Sequence, residues 1–272
     1  MKKIIALLLL PLLAISFNSC NRNNEEEKEK TTKCVKTIGY KASGKYIETN
    51  RLYYDNQNRL IKVQYLDSFY DSESNFTYGT NTITHYTNYA DFNIQETNTW
   101  ILDNNGYPIH YERKCYCQGM PESNNYMENY TYENGYLKKV NRTVGIETSY
   151  EYSYEISCFW KDGNIVQVGG SHYEYNNHYE YNNKENLLNI RISRDGMYVR
   201  VSRDIFPKFK GISKNYLIKG WYPNSVNEED GTIEYLVSTY DYIFDEDGYP
   251  IQIIMGHTDS GNYKDTMILT YY

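Results

Sequence analysis

Apolar and polar residues alternate along much of this chain, with the two-residue period of β-strands. The segment from Tyr150 to Ile156 places three tyrosines and an isoleucine on one side. Met267, Leu269 and Tyr271 repeat the pattern near the C-terminus. No long apolar stripe with the 3.6-residue period of a helix accompanies them, so the pattern predicts an all-β protein with little helix.

A short hairpin unit recurs along the chain: an aromatic-rich strand, a polar turn, and an apolar residue that begins the next strand. Asp103 and Asp245 suit the first position of a type I turn. Gly106 and Gly248 suit the left-handed position that closes such a turn, because glycine has no Cβ. The clear copies are 100–109, 130–137, 158–165 and 242–251, and two weaker copies without the glycine are 53–61 and 179–188.

Consecutive hairpins favour a β-meander, a large antiparallel sheet that curls or closes like a barrel to hide its edges. Pro108 and Pro250 have no N–H to donate, so each fits the start of a strand or an edge. The 272 residues include 33 tyrosines, which bury large rings and form strands well. The mean hydropathy of −0.75 is therefore compatible with a single tyrosine-rich β-domain over residues 34–272.

The unit aromatic-x-aromatic-Asp-x-x-Gly-Tyr-Pro-Ile resembles the hairpins of Bacteroidetes lipoproteins of unknown function that have a porin-like β-fold. It is more loosely similar to the YD repeats of Rhs-type shells. The resemblance covers roughly residues 50–272 and rests on short turn motifs. It implies a large β-fold, and it implies no catalytic residue.

The N-terminus predicts export. Lys2 and Lys3 precede an apolar run that ends at Ile15, which is the length of a signal-peptide core rather than of a membrane span. Ser19 stands directly before Cys20, in a sequence that resembles the loose lipoprotein cleavage site of Bacteroidetes. Residues 1–19 are therefore a predicted signal peptide, and palmitate or other acyl chains on Cys20 would anchor the protein to a membrane.

Residues 20–33 form a predicted lipidated and flexible tether. The segment 21–33 contains no apolar residue, so it has nothing to pack into a core. Its acidic run 25–27 resembles the surface-export signal of Bacteroidetes lipoproteins. The sequence therefore predicts an outer-membrane lipoprotein that faces either the periplasm or the cell surface.

The remaining cysteines are even in number, which in an exported protein favours disulfides. Four cysteines allow three pairings, and the candidates are Cys34, Cys115, Cys117 and Cys158. Cys115 and Cys117 point the same way along a strand, so we expect each to pair with a more distant cysteine. A metal site formed by these two with His110 is the alternative, but no second ligand pair completes it.

A tandem repeat over residues 171–183 carries histidine and glutamate, which are common metal ligands. A two-residue turn at 176–177 would separate its two halves onto opposite faces, so the pattern favours a polar hairpin and no metal or other cofactor. The candidate ligands are His172, Glu174, His178 and Glu180.

The residue types and motifs of the chain do not indicate a particular reaction. Its net charge of −7 argues against nucleic acid, which requires clustered lysine and arginine. No known catalytic motif occurs, and adjacent acids in turns do not provide the facing carboxylates of a glycosidase. The candidate ligand-binding residues are aromatic side chains that would stack on sugar rings: Trp100, Trp160 and Trp221.

The leading hypothesis is a non-enzymatic, lipid-anchored binding or structural β-domain at the outer membrane, with a glycan or an envelope protein as its partner. The first alternative is a hydrolase of polysaccharide or peptide. The second is an integral outer-membrane β-barrel, whose lipid-facing band would have to be apolar.

Overall fold

The computed structural model describes residues 33–42, 45–67, 71–89, 93–117, 125–146, 148–170, 176–188, 190–191, 200–201, 213–227, 230–258 and 264–272. Within these residues the secondary structure consists of strands and turns, and no helix is long and apolar enough to span a membrane. The strands are β1 (Val35–Ala42), β2 (Lys45–Tyr54), β3 (Leu60–Asp67), β4 (Asp71–Tyr78), β5 (Thr82–Tyr89), β6 (Ile94–Leu102), β7 (Pro108–Cys117), β8 (Tyr126–Glu133), β9 (Tyr136–Val144), β10 (Tyr152–Lys161), β11 (Asn164–Gly170), β12 (Asn177–Glu185), β13 (Ile190–Arg191), β14 (Arg200–Val201), β15 (Asn215–Val226), β16 (Ile233–Phe244), β17 (Pro250–His257) and β18 (Lys264–Tyr271).

Sixteen of these strands form one closed antiparallel barrel. Each strand pairs with its neighbours in the chain, and β18 closes the ring by pairing with β1. The exception is β12, which pairs with β15 because β13 and β14 form a separate two-stranded sheet between them. The predicted all-β meander of consecutive hairpins is confirmed, and closure leaves the barrel without an unpaired edge.

The recurring sequence unit forms the tight turns at one end of the barrel. At 103–106 the Gly106 N–H donates to the carbonyl of Asp103 at 3.0 Å, and Gly106 has a φ of 83°. The copy at Asp245 and Gly248 has the same bond at 3.1 Å and a φ of 88°. Pro108 begins β7, which matches the predicted strand start.

Two other copies make two-residue turns in which both central residues have positive φ, the geometry that suits the twist of a hairpin. These are Asn134-Gly135 and Asp162-Gly163. The weaker copy at 53–61 also forms a hairpin, with Asn58 at positive φ. The copy predicted at 179–188 is wrong as a hairpin, because β12 continues to Glu185 and its partner is β15.

Each long strand has one buried face and one exposed face. In β17 and β18, for example, Ile253, Met255 and Met267 are at most 1% exposed. Side chains converge on the concave side of a closed sheet and diverge on its convex side, so we assign the buried face to the inside of the barrel. We call the buried face the inner wall and the exposed face the outer wall.

The inner wall packs into a large apolar cluster on one side of the barrel. It joins β1 to β3 with β16 to β18, and Leu188 from the segment after β12 is buried in it. A smaller cluster around Val140, Ile156 and Val168 lies on β9 to β11.

A β-bulge follows most of the tight turns, and the carbonyl beside it accepts a hydrogen bond from an aromatic side chain of the next strand. At β7 the extra residue is Ile109, and the Tyr132 hydroxyl of β8 donates to the Pro108 carbonyl at 2.6 Å. Ile109 is exposed to water, whereas Pro108 directly before it is buried. The other such pairs are Tyr78 with Leu60 (2.8 Å), Trp160 with Leu137 (2.7 Å), Tyr242 with Leu217 (2.7 Å) and Tyr271 with Pro250 (2.5 Å).

The two ends of the barrel differ. The tight turns lie at one end, which we call the short-turn end, and it includes 55–59, 103–107, 134–135, 162–163 and 245–249. Both termini of the barrel also lie there, since the Tyr272 N–H donates to the Cys34 carbonyl at 3.1 Å. The opposite end, which we call the loop end, includes the described residues 125, 145–146, 148–151, 176, 227, 230–232 and 258.

The bulge pairs predict a specific loss of stability. Tyr132→Phe keeps the ring but removes the donor to the Pro108 carbonyl, which should lower the free energy of unfolding by about 1–3 kcal/mol. The matched control is Tyr116→Phe, whose side chain is 66% exposed and should change stability by less than about 0.5 kcal/mol. Denaturant unfolding followed by circular dichroism measures both, and equal losses would contradict the assignment.

Candidate functional site

Charged side chains gather on the inner wall of β5 to β10, in the part nearer the loop end. They occupy every second position of their strands, because successive strand residues face opposite walls. A buried charge is costly unless it is paired and hydrogen-bonded, and here the charges are paired. We call this set the inner belt, and its members are His85, Thr87, Glu96, Asn98, Tyr111, Arg113, Tyr126, Glu128, Tyr130, Arg142 and Tyr154.

Glu128 is a buried acid of the inner belt, with 7% of its surface exposed. The Nε of Arg142 donates to its Oε1 at 2.6 Å, and the Tyr130 hydroxyl donates to its other oxygen. Arg142 also donates to the Tyr154 hydroxyl at 3.2 Å. Burial acts to lower the pKa of Arg142, but the Glu128 carboxylate outweighs it and raises that pKa, so the guanidinium stays charged.

Tyr126 connects this cluster to a second one. Its ring centroid lies 4.9 Å from the guanidinium of Arg142 and 5.7 Å from that of Arg113. Both distances allow attraction between a cation and an aromatic face. The Tyr126 hydroxyl is 3.4 Å from the Tyr111 hydroxyl, so the contacts continue along the wall.

The second cluster is built around Glu96. Arg113 donates to one of its oxygens at 2.6 Å, and the Asn98 amide donates to the other at 2.7 Å. Burial acts to raise the pKa of Glu96, but the hydrogen bonds from Arg113 and Asn98 outweigh it and hold that pKa below its usual range. Glu96 is therefore ionised in the folded protein at neutral pH.

His85 closes the inner belt on β5. The Asn98 amide nitrogen lies 3.2 Å from its Nδ1, and the Thr87 hydroxyl lies 3.2 Å from its Nε2. An amide NH₂ only donates, so Nδ1 accepts and the ring is neutral with its proton on Nε2. Phe76 stacks on the ring at 4.3 Å. Burial lowers the pKa of His85 to about 4.

The inner belt is better suited to binding than to proton transfer. A general acid needs a carboxyl with a raised pKa, whereas the pKa of Glu96 is lowered and Glu128 is held by Arg142. The two arginines balance the two glutamates, so the belt carries no net charge. Among the described residues, no group of His, Cys, Asp and Glu side chains is placed to hold a metal ion.

A ladder of tyrosines leads from the inner belt to water at the loop end. Tyr154 and Tyr152 stack with ring centroids 5.9 Å apart, and Tyr152 is 56% exposed. Tyr150 precedes the strand and is 78% exposed. The predicted alternation therefore holds for Tyr152, Tyr154 and Ile156, whereas Tyr150 lies in the loop before β10. The alternation predicted these tyrosines as strand residues, and no sequence signal marked them as a site.

The structure does not bring the three predicted tryptophans together. Trp100 packs on Tyr111 with ring centroids 5.1 Å apart, and Trp160 donates to a main-chain carbonyl of β9. Trp221 lies on the outer wall, 4.5 Å from the ammonium of Lys219. Ligand stacking by these tryptophans stays a prediction.

The predicted cysteine sites are placed in part. Cys34 lies at the short-turn end, Cys115 lies in β7 towards the loop end, and Cys158 is buried in the wall of β10. Cys20 and the side chain of Cys117 lie outside the described residues. Lipidation and disulfide pairing therefore stay predictions.

The tandem repeat is also described in part. His172 and Glu174 lie outside the described residues. His178 and Glu180 share one face of β12, where they pair with β15. Asn177 begins β12, so it does not complete a two-residue turn with Asn176.

Comparison with solved structures supports the fold. The chain resembles a porin-like protein from Bacteroides uniformis, with a TM-score of 0.59 and 14% sequence identity over 88% of this chain and 96% of that chain. A likeness at this identity shows the fold, and it confirms the porin-like β-fold implied by the hairpin resemblance. No protein-family model matches the chain, and no curated protein matches it.

His85 predicts a pH dependence of stability. Its ordinary pKa is near 6.5 and its folded pKa is about 4, so between these values the unfolded chain binds a proton that the folded chain does not. The contribution of His85 is complete above about pH 6.5 and is lost as the pH falls towards 4. His85→Gln should flatten the stability profile in that window, measured by urea unfolding at successive pH values. An unchanged profile in His85→Gln would contradict the assignment.

Proposed function

We propose that the protein is an outer-membrane lipoprotein whose porin-like barrel stands outside the hydrocarbon of the bilayer and presents its loop end away from the membrane. The observation that carries this proposal is the chemistry of the outer wall. Apart from the inner belt, apolar side chains fill the inner wall, whereas the outer wall is mainly polar in the middle of its strands. Its exposed apolar residues lie beside the short turns and include Ile61, Ile101, Ile109, Phe159, Ile243 and Ile251.

Charged pairs lie in the middle of outer-wall strands. Lys62 of β3 pairs with Glu73 of β4, and Lys139 of β9 pairs with Glu155 of β10 at 2.9 Å. In a membrane-spanning barrel, a lysine or arginine at the bilayer midplane costs about 2–4 kcal/mol. Most uncharged outer-wall residues of β4 to β6 are also polar, with Tyr86 and Ile101 as exposed hydrophobic exceptions. The polar ones are Asn75, Thr77, Thr84, Asn88, Gln95, Thr97 and Thr99. An outer wall with this composition is compatible with exposure to water.

The attachment of the first described residue supports the orientation. The Lys33 ammonium lies 2.8 Å from Asp245 and 2.6 Å from Asp247, both in the turn between β16 and β17. The Lys33 N–H donates to the Tyr249 hydroxyl at 3.2 Å. The chain therefore enters the barrel at the short-turn end, 13 residues after Cys20. At full extension that length reaches roughly 45 Å.

An integral outer-membrane barrel is the second candidate. An even number of antiparallel strands in a closed ring is its usual architecture. The likeness to a porin-like protein supports this alternative more directly than it supports a lipid-anchored binding domain, because that likeness concerns the fold alone. We rank it second because its lipid-facing band would consist of threonines, asparagines and ion pairs.

Fractionation of a Cys20→Ser variant whose predicted signal peptide is replaced by one that is cleaved without acylation separates the two candidates, because an uncleaved apolar segment would itself hold the chain in the membrane. The proposal expects the wild-type protein in the membrane pellet after an alkaline wash and the variant in the soluble fraction, because the acyl chains are its attachment. Labelling with a palmitate analogue should tag the wild-type protein and leave the variant untagged.

Cys34→Ser is the matched control, because it removes a thiol close to the tether and keeps Cys20. It should stay in the pellet and carry the label. A Cys20→Ser protein that resists alkaline extraction from the membrane would favour the integral barrel and reverse the ranking.

A further inference from the structure

We propose that the mouth of the barrel at its loop end binds a neutral polysaccharide chain, with Tyr150 and Tyr152 as stacking platforms and the arginines of the inner belt as its polar floor. The inference rests on the proposed function in one respect, which is that the loop end faces away from the membrane.

The tyrosines are exposed although their surroundings are ordered. Tyr150 and Tyr152 are 78% and 56% exposed at neighbouring positions at the start of β10, and exposed apolar surface gathered in one place is a feature of binding surfaces. Tyr154 lies behind them, with its ring 26° from parallel to that of Tyr152. The rings therefore form a graded series from solvent into the barrel.

Hydrogen bonds connect the described residues Gly145, Thr148 and Tyr150 before β10. The Thr148 hydroxyl donates to the Gly145 carbonyl at 2.6 Å and lies 3.2 Å from the Tyr150 N–H, which donates to it. Gly145 has a φ of 69°, and a Cβ there would lie 3.1 Å from the carbonyl oxygen of Tyr150. Binding then requires little ordering of the loop, which favours affinity.

Polar groups for hydroxyls lie directly below the rings. The Arg142 guanidinium donates to the Tyr154 hydroxyl and lies against Tyr126. The side chains of Arg142 and Arg113 are 24% and 29% exposed, so part of each remains accessible. An aromatic face beside planar hydrogen-bonding groups suits a pyranose, which has C–H groups on its face and hydroxyls around its edge.

The charge of the mouth selects against anionic ligands. Arg142 is paired with Glu128 and Arg113 with Glu96, so the described residues of the inner belt offer no excess positive charge to attract phosphate or carboxylate. The net charge of the whole chain, −7, acts in the same direction. A neutral glycan is therefore the class of ligand that the site favours.

The test uses the full-length Cys20→Ser chain, so its result does not depend on acylation. Isothermal titration calorimetry measures binding of neutral hexasaccharides of β-1,4-glucose, β-1,4-mannose and α-1,4-glucose, and of a galacturonic acid hexamer. At least one neutral hexasaccharide should bind, and Tyr152→Ala should weaken it at least tenfold. Tyr152→Phe should retain most of the affinity, because it keeps the ring.

Tyr116→Ala is the matched control, because Tyr116 is exposed in β7 near the same end but lies on the outer wall. It should bind like the wild-type protein. Binding of none of the neutral hexasaccharides, binding of the acidic hexamer alone, or an equal loss in Tyr116→Ala would overturn the inference. Failure of acylation with binding retained would refute the proposed anchoring and leave this inference standing.

Discussion

The barrel depends on a repeated hydrogen bond between an aromatic side chain and the carbonyl beside a β-bulge. A bulge disrupts the ladder locally and increases the twist of its strand, which helps sixteen strands to curve into a closed ring. The hydroxyls of Tyr132 and Tyr271 donate to the carbonyls of Pro108 and Pro250 in two of the hairpins. Burial raises the pKa of both hydroxyls, so they remain donors at ordinary pH. This role gives a physical reason for a tyrosine-rich composition.

The same alternation that closes the barrel also divides its chemistry between two walls. The inner wall contains tyrosines, aliphatic residues and the paired charges of the inner belt, while the outer wall contains threonines, amides, surface ion pairs and, beside the short turns, exposed isoleucines such as Ile109 and Ile251. A porin has the opposite arrangement, with apolar residues outside and polar residues inside. The fold is shared with a porin-like protein, and the loop end is where the inner belt comes closest to the exposed Tyr152.

Much of the fold could be predicted from local signals, and the site could not. Gly106 adopts a positive φ and donates its N–H to the Asp103 carbonyl. Both residue types favour this turn, so the hairpin could be predicted from the sequence. The copy near Tyr179 failed because the same turn-like residues precede an insertion, and β12 finds its partner in β15. In the sequence, Glu96 and Arg113 resemble ordinary surface charges. Only the register between β6 and β7 shows that they lie side by side on the inner wall. Tyrosines occur both buried and exposed in this barrel, so the residue type alone does not predict that Tyr152 is exposed.

Refolding the chain from residue 20 onward, with Cys20→Ser and without the apolar predicted signal peptide, in buffer without detergent tests the central claim, that the apolar wall faces inward and the polar wall faces water. Near-ultraviolet circular dichroism and light scattering report the packing of the tyrosines and the state of association. We expect a soluble protein with an ordered tyrosine signal that is lost cooperatively on heating. A chain that aggregates until detergent micelles are added would contradict the account, because it would show that the outer wall requires lipid.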